Sequence, residues 1–259
     1  MILALLAVGA IGGLLAGLFG VGGGIVMVPL LLWLTRMDQR HAAATSLVAI
    51  VPTAIAGSIF YGIGGQVDWL AALFVGAGTI VGAPIGAWLL RSLPLAWLRW
   101  LFIVGLFAAA VYLILVTPER GGSLELAPLV MLALVGLGLV MGLAAGMFGI
   151  GGGIIAVPVL IALFGMGDLL AKGTSLLAMI PAAVSGTIPN VRAGLVRLRD
   201  GLIVGAAAVA ASGAGVSLAF LIPPSVSSVL FGILLVAVVA QLSVRAVRLQ
   251  AREKREREG

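Results

Sequence analysis

The feature of this sequence that most restricts its fold is an internal duplication. Residues 17–31 return 129 positions later as residues 146–160, and ten of the fifteen aligned pairs are identical. The other five pairs exchange one apolar residue for another, and the register holds without an insertion over at least 9–102 against 138–231. The chain therefore consists of two copies of one structural unit.

The composition indicates what kind of unit this is. Hydrophobic residues make up 62% of the 259 positions and charged residues only 9%, and the mean hydropathy is +1.28. Values this high exclude a soluble globular domain, and apolar runs of about 20 residues match the length that a helix needs to cross a bilayer. We therefore predict an all-α integral membrane protein that is embedded in the lipid bilayer.

The charged residues and the absence of cysteine narrow the function classes. The net charge of +6 comes mostly from loops and from a basic C-terminal tail, so it indicates membrane orientation rather than nucleic-acid binding. The chain has no cysteine, which excludes disulfides, thiolate metal sites and cysteine nucleophiles. We expect no cofactor, no bound metal and no catalytic residue.

Each copy carries a glycine triplet inside an apolar run that is too long for one membrane crossing. As a single straight helix, residues 2–35 would measure about 50 Å against a hydrocarbon core of about 30 Å. Glycine allows the sharp turn that a break needs, and residues 25–35 can restart a helix of about 16 Å, roughly half the core. Such a break leaves a helix N-terminus with free amide donors, which favours an anion.

We divide the chain into two membrane repeats, 1–116 and 127–244, joined by a connecting loop, 117–126, and followed by a basic tail, 245–259. Each repeat is expected to hold the glycine-broken segment plus three spans. In the first copy these spans are 42–61, 69–90 and 97–116. The N-terminus lacks the positive region of a cleaved signal peptide, so we expect the first segment to be retained.

The positively charged loop residues distinguish two topologies. If each glycine-broken segment crosses the membrane, the side of the basic tail holds ten Lys and Arg residues and the other side five. If each is a hairpin or re-entrant segment that returns to its own side, the counts become thirteen and two, with Arg120 and Lys172 on the far side. The positive-inside rule favours the second arrangement, with a cytoplasmic tail. It predicts two inverted-topology repeats, a transporter architecture.

Three groups of residues resemble a known family. The first is the doubled pattern Gly-x-Gly-Gly-Gly-x-x-x-x-Pro at 20–29 and 149–158, and the second is Ala-Thr-Ser or Gly-Thr-Ser at 44–46 and 173–175. The third is Gly-Gln-Val-Asp-Trp at 65–69, which the second copy replaces with Gly-Leu-Val-Arg-Leu. Together they are similar to the sulfite exporter TauE/SafE family of membrane permeases, over nearly the whole chain apart from the tail.

The resemblance implies transport of small sulfur-containing or organic anions, such as sulfite, sulfoacetate or related sulfonates, across the bacterial inner membrane. Inverted repeats hold their substrate near the midplane, so we expect an anion permease that works by alternating access. The sequence leaves the direction of transport, the coupling ion and a homo-oligomeric state open.

The candidate substrate-binding residues are those that bring a hydrogen-bond donor to the glycine breaks. Amide groups of the glycines would contact the anion directly. Hydroxyl groups of the following segment would either complete its shell or cap that helix, and Asn190 would line the access path from the side of the tail. The full set is Gly20, Gly22, Gly23, Gly24, Thr45, Ser46, Gly149, Gly151, Gly152, Gly153, Thr174, Ser175 and Asn190.

Three other interpretations stay open. In one, the glycines only permit a turn or close helix packing. In another, the protein is a membrane-embedded assembly partner without transport of its own. In the third it is an intramembrane enzyme, which is the weakest because the single histidine, His41, lies in a predicted loop and no Gly-x-Ser-x-Gly is present.

Two further expectations concern the acidic residues. We expect no carboxylate inside a membrane span, which removes the usual intramembrane proton carriers and leaves coupling unexplained. Asp68, beside Trp69, is interpreted as an interfacial anchor.

Overall fold

A computed structural model of the chain describes residues 1–35, 37–92, 96–115 and 127–258, which form ten α-helices and no strand. The all-α prediction is confirmed. The first copy contains α1 (Ile2–Phe19), α2 (Gly24–Leu34), α3 (Gln39–Ile63), α4 (Trp69–Ser92) and α5 (Ala96–Leu115). The second contains α6 (Pro128–Phe148), α7 (Gly153–Ala162), α8 (Asp168–Arg192), α9 (Leu198–Leu221) and α10 (Pro224–Glu258).

Seven of the helices in the described part are long and apolar enough to cross a bilayer: α1, α3, α4, α6, α8, α9 and α10. The protein is therefore a multi-pass membrane protein. Helices α2 and α7 are shorter, with 11 and 10 residues. The predicted connecting loop, 117–126, lies outside the described residues, and the predicted tail continues α10 as far as Glu258.

Local side chains explain where several helices begin. The carboxylate of Asp38 accepts the amide hydrogen of His41 at 2.8 Å and so caps α3. Asp68 caps α4 in the same way, through the amide of Ala71 at 2.9 Å. Asp68 therefore caps α4, and its role as an interfacial anchor stays a prediction. His41 lies in the first turn of α3, so its assignment to a loop is wrong.

The predicted helix breaks occur at the glycines. Helix α1 ends at Gly20, which has φ 71°, and α2 begins after Gly23, which has φ 76°. Their counterparts Gly149 and Gly152 have φ 68° and 79°. All four lie in the left-handed region, which side chains with a Cβ rarely adopt. The triplets therefore break the helix because their backbone requires glycine.

Helix α2 folds back along α1, so the first broken segment is a hairpin. A Cβ added at Gly12 of α1 would lie 2.5 Å from Cγ of Met27 in α2, and one added at Gly23 would overlap the carbonyl oxygen of Gly12. In the second copy, a Cβ at Gly152 would likewise overlap Met141 of α6. Each short helix thus runs back toward the end of the molecule at which the preceding long helix begins. This agrees with the hairpin arrangement that the loop charges favour.

The long helices exchange partners between the two copies. Helix α1 packs on α9, and its counterpart α6 packs on α4. Glycines make these contacts close, since a Cβ at Gly13 would overlap Ala208 and one at Gly17 would overlap the carbonyl oxygen of Ser212. These contacts advance in the same direction along both helices, so α1 and α9 run parallel. Neither copy is a self-contained unit.

The equivalent helices α3 and α8 pack against each other in opposite directions. Gly57, near the end of α3, meets Leu176 near the start of α8, whereas Gly186, near the end of α8, meets Leu47 near the start of α3. Counterparts of a parallel duplication would run the same way. The antiparallel course is compatible with inverted repeats. Among the candidate spans, α3 and α8 also have the largest buried share, so they lie at the centre of the molecule.

Candidate anion-binding site

The two glycine breaks meet in the interior. A Cβ added at Gly24 would lie 2.6 Å from the carbonyl oxygen of Gly149, and one added at Gly153 would lie 2.8 Å from that of Gly20. The contacts are reciprocal, because each residue pair is the counterpart of the other. The N-termini of α2 and α7 therefore face one common region.

Several amide donors at these two N-termini have no acceptor among the described residues. The amides of Val26 and Met27 donate to the carbonyl of Gly23 at 3.0 and 2.9 Å, which is the first turn of α2. For the amides of Gly22, Gly23 and Gly24 the described part of the chain supplies no acceptor, and the same holds for the equivalent triplet at the start of α7, residues 151–153. All six glycines are buried. Buried, unused amides at paired helix N-termini favour an anionic ligand.

Two apolar side chains occupy the space between the breaks. The terminal methyl of Met179 lies where a Cβ of either Gly22 or Gly151 would be placed. Cδ1 of Ile50, the counterpart of Met179 in the first copy, would be 2.7 Å from a Cβ at Gly24. An anion reaches the amides only when these side chains turn aside, so they form an apolar closure over the donors.

The serine hydroxyls next to the breaks differ between the copies. Ser46 donates to the carbonyl of Gly149 and lies 2.9 Å from that of Ala43. Its counterpart Ser175 faces Sδ of Met179 at 4.0 Å, a weak acceptor. Both are fully buried. Ser175 therefore keeps a hydroxyl hydrogen that an anion can accept, whereas that of Ser46 is engaged.

The alternative that these hydroxyls cap their helices is wrong. Helix α3 is capped by Asp38, and the N-cap position of α8 is Gly167. Thr45, Ser46, Thr174 and Ser175 lie well inside the two helices and are buried. Thr174 accepts the amide hydrogen of Asp68 at 2.9 Å, which ties α8 to the start of α4.

Asn190 is not brought to the glycine breaks. It lies eleven residues beyond Met179, about 16 Å along α8. It is buried, and its side-chain amide donates to the carbonyl of Gly186 at 3.0 Å. Its counterpart Tyr61 donates to the carbonyl of Gly17 at 2.8 Å. A contact of Asn190 with the substrate path stays a prediction, at a separate level of the protein.

Sequence reasoning missed a buried charge pair in α8. Asp168 and Lys172 are only 1% and 2% exposed, and Nζ of Lys172 lies 3.3 Å from Oδ2 of Asp168 and donates to Oγ of Ser227 at 2.7 Å. Asp200, in the first turn of α9, is also buried. The expectation that spans lack carboxylates is therefore wrong. The Asp-x-x-x-Lys spacing of an ion pair on one helix face was the available signal.

Comparison with known proteins decides the family. The family model described as sulfite exporter TauE/SafE matches residues 1–113 and 134–259, which include both glycine motifs. The chain belongs to the TauE/SafE family. The resemblance that the motifs indicated is thus confirmed over nearly the whole length.

Relatives of this TauE/SafE chain are named probable membrane transporter proteins. One from Xylella fastidiosa is 32% identical over 176 residues, which cover 66% of this chain and 67% of the relative. YunE of Bacillus subtilis is 27% identical over 215 residues, covering 73% and 78%. A third, from Haemophilus influenzae, is 32% identical over 197 residues, covering 71% and 72%. No solved structure gives a significant match.

The TauE/SafE assignment makes this protein a membrane transporter rather than an enzyme. The site agrees with that class, because it combines buried amide donors with an apolar closure. Within the described residues no group of three or more His, Cys, Asp and Glu side chains is arranged to hold a metal ion.

Proposed function

We propose that this TauE/SafE protein is a permease for small sulfur-containing or organic anions, such as sulfite, sulfoacetate or related sulfonates. The anion is held where the N-termini of α2 and α7 meet, near the midplane. The observation that supports this most directly is the contact between the two glycine breaks, whose buried amides have no acceptor among the described residues. Buried amides without a partner are rare in folded proteins, and this favours a ligand over close packing alone.

The energies of this site suit binding followed by release. Half a positive charge at a helix end, about 4 Å from an anion at an effective dielectric near 20, contributes about 2 kcal/mol. Two ends contribute about 4 kcal/mol, which is similar to the several kcal/mol needed to bury one ion. Each amide hydrogen bond to a charged acceptor adds about 1.5–3 kcal/mol. The sum favours the bound state without making it permanent.

The symmetry of the site supports alternating access as the mechanism. The two hairpins extend from opposite ends of the molecule, and the central helices α3 and α8 each contribute one closing side chain, Ile50 and Met179. Motion that withdraws one of these side chains exposes the anion toward one face while the other keeps it covered. Exchange of roles between the copies then opens the opposite face.

We further propose that the protein lies in the bacterial inner membrane with its C-terminal tail in the cytoplasm. Single cysteines in this naturally cysteine-free chain test the orientation. Arg40→Cys and Ala193→Cys are expected to react with an impermeant reagent from the cytoplasmic face, and Ile63→Cys and Leu163→Cys from the other. All four positions are exposed in the fold. Labelling of Arg40→Cys and Ala193→Cys from different faces contradicts the inverted arrangement.

Flux into proteoliposomes tests the function and the site together. The wild-type protein is expected to carry radiolabelled sulfite or a sulfonate. The double variant Gly22→Ala/Gly151→Ala should lose that flux, because each new methyl covers amides and meets the methyl of Met179. The matched control is Gly65→Ala/Gly194→Ala, whose φ angles of 69° and 68° are similarly strained but which meet nothing within 4 Å.

Three results separate the interpretations. Loss of flux in the site variant alone supports the proposal. Equal flux in the two double variants, at comparable melting temperatures, rejects the glycine site but leaves the transport function standing. Absence of flux and of anion-induced thermal stabilisation in the wild-type protein, for every anion of the panel, rejects the function and favours an assembly partner.

A further inference from the structure

One buried cation is packed directly on a glycine break. A Cβ added at Gly20 would lie 2.6 Å from Cα of Lys172, and the carbonyl of Gly20 in turn borders Gly153 at the start of α7. Lys172 is therefore next to the point at which the two breaks meet. Lys172 is only 2% exposed, so its charge acts in a medium of low dielectric.

The corresponding position in the first copy carries no charge. Ala43, 129 residues before Lys172, packs on Gly149 just as Lys172 packs on Gly20. Backbone packing alone is thus achieved by alanine, and the ammonium group is an addition to one half of a site that is otherwise built from equivalent residues. A role in helix packing does not explain it.

The stability of the fold does not explain the pair of Lys172 and Asp168 either. Burying two charges costs more than their attraction usually returns, and apolar residues of similar volume are commonly as stable. Ionisable groups inside membrane helices are accordingly expected to act in function. Here the pair belongs to α8, the helix that also carries Ser175 and Met179 of the candidate site.

We infer that Lys172 is the counter-charge of the transported anion and that Asp168 holds it when no anion is bound. This inference rests on the proposed function. Asp168 and the anion both offer negatively charged oxygen to one ammonium group, with Nζ now 3.3 Å from Oδ2 of Asp168. The flexible four-carbon side chain of lysine allows Nζ to turn from one to the other.

The exchange also links the anion to α10. Nζ of Lys172 donates to Oγ of Ser227, near the start of α10, at 2.7 Å, and Ser227 is itself buried. When the ammonium turns toward the anion, this hydrogen bond between α8 and α10 is released. Anion binding thereby changes how α8 is held, which a set of backbone amides alone would not do.

Anion affinity of the full-length protein, measured by calorimetry with sulfite and with a singly charged sulfonate, tests the inference. The neutral pair Asp168→Asn/Lys172→Gln removes both charges and keeps the volumes of the two side chains similar. It is expected to bind sulfite at least about tenfold more weakly, since a full charge near the anion is lost. The loss should be larger for the doubly charged form of sulfite than for the sulfonate.

Three further variants complete the design. Lys172→Arg keeps the charge and should retain most of the affinity. Asp168→Asn alone removes the competing carboxylate and should bind the anion more tightly than wild type, and this variant carries the test if the neutral pair does not insert. Asp200→Asn removes a buried carboxylate elsewhere and should leave the affinity unchanged.

The outcomes are decisive in both directions. Wild-type affinity in the neutral pair overturns the inference, as does unchanged or weakened binding in Asp168→Asn. Either result, with normal wild-type flux, leaves the proposed function intact. A wild-type protein that neither binds nor carries any of the anions rejects the proposed function itself, and the inference with it.

Discussion

Ser46 donates its hydroxyl hydrogen to the carbonyl oxygen of Gly149, and so joins α3 of the first copy to the end of α6 in the second. Gly149 is the residue at which α6 ends, and its carbonyl lies beyond the reach of the helix's own amides. The bond therefore satisfies a buried acceptor at the break. Ser175 makes no equivalent bond to Gly20, since it faces the sulfur of Met179.

Replacement of these two serines should have unequal effects on stability. Ser46→Ala leaves the carbonyl of Gly149 buried without that donor, so we expect a loss of about 1–3 kcal/mol in the free energy of unfolding. This corresponds to a fall of several degrees in melting temperature for a protein of this size. Ser175→Ala, the matched control, should change the melting temperature in detergent little. Equal shifts in both variants would contradict the asymmetry.

The glycine face of α6 gives a second prediction about stability. Gly142 lies against α4, and a Cβ there would be 2.8 Å from both the amide nitrogen of Ala83 and the carbonyl oxygen of Thr79. Gly142→Ala should therefore force the two helices apart and cost about 1–3 kcal/mol. Gly136, on the same helix, meets nothing within 4 Å and is exposed.

Gly136→Ala is the control for that substitution. It exchanges the same two residues in the same helix, so any difference reports packing rather than helix propensity. We expect it to be neutral, or to stabilise by up to about 1 kcal/mol through the higher helix propensity of alanine. Thermal unfolding of both variants in one detergent measures the difference. Equal melting temperatures of Gly142→Ala and Gly136→Ala would show that the close contact does not limit stability.

The apolar closure over the amides predicts a change in selectivity. Met179→Ala removes the methyl that lies against Gly22 and Gly151, which enlarges the space between the breaks. Larger sulfonates should gain flux relative to sulfite. Ile188→Ala is the control, because Ile188 lies on the same helix but is 47% exposed. The ratio of two fluxes in one proteoliposome preparation is insensitive to the amount of folded protein, and an unchanged ratio would place the closure away from the substrate.

The cap of α3 predicts a pH dependence of stability. Hydrogen bonds from the backbone amide and then the side chain of His41 lower the pKa of Asp38 below its usual value of 3.8. The unfolded chain therefore binds the proton more readily than the folded one. The stabilisation is fully present above the unfolded pKa and is lost as the pH falls through the lowered folded value.

Replacement of Asp38 should follow that dependence. The carboxylate is mostly exposed, so we expect Asp38→Ala to cost about 0.5–1 kcal/mol near neutral pH, at the low end for a lost cap. The gap between wild type and Asp38→Ala should narrow below about pH 4. Asp38→Asn caps α3 but does not titrate, so the stability difference between Asp38→Asn and Asp38→Ala should stay constant with pH. Melting temperatures in detergent across this range measure both gaps; a wild-type gap that persists in acid would contradict the cap.

Local chemistry explains why the breaks and the three spans of each copy were predictable. Only glycine tolerates the left-handed backbone at Gly20, Gly23 and their counterparts, and an apolar run of fixed length has few uses other than crossing a bilayer. The predicted first-copy spans 42–61 and 69–90 lie inside α3 and α4, and 97–116 corresponds to α5 within one residue. These features depend on neighbouring residues in the chain.

The contacts between copies were not predictable in the same way. The glycine face of α1 indicates a close neighbour but does not say that the neighbour is α9. Gly13 and Ala208, which meet in this contact, are 195 positions apart in sequence. The sequence predicts Lys172 in a loop, because polar residues near the end of an apolar run are typical of a surface. Its burial depends on α10 supplying Ser227, which no local pattern encodes.

The pairing of α1 with α9 and of α4 with α6 has a consequence for biogenesis. A nascent chain inserts α1 before the ribosome has made most of the second copy. The glycine face of α1 therefore contacts lipid or the insertion machinery until α9 has been synthesised. The contact between α1 and α9 therefore forms late, whereas α4 and α6 are both present once the first helix of the second copy has been made. A chain released early presents an unpaired glycine surface, which membrane quality-control proteases can recognise.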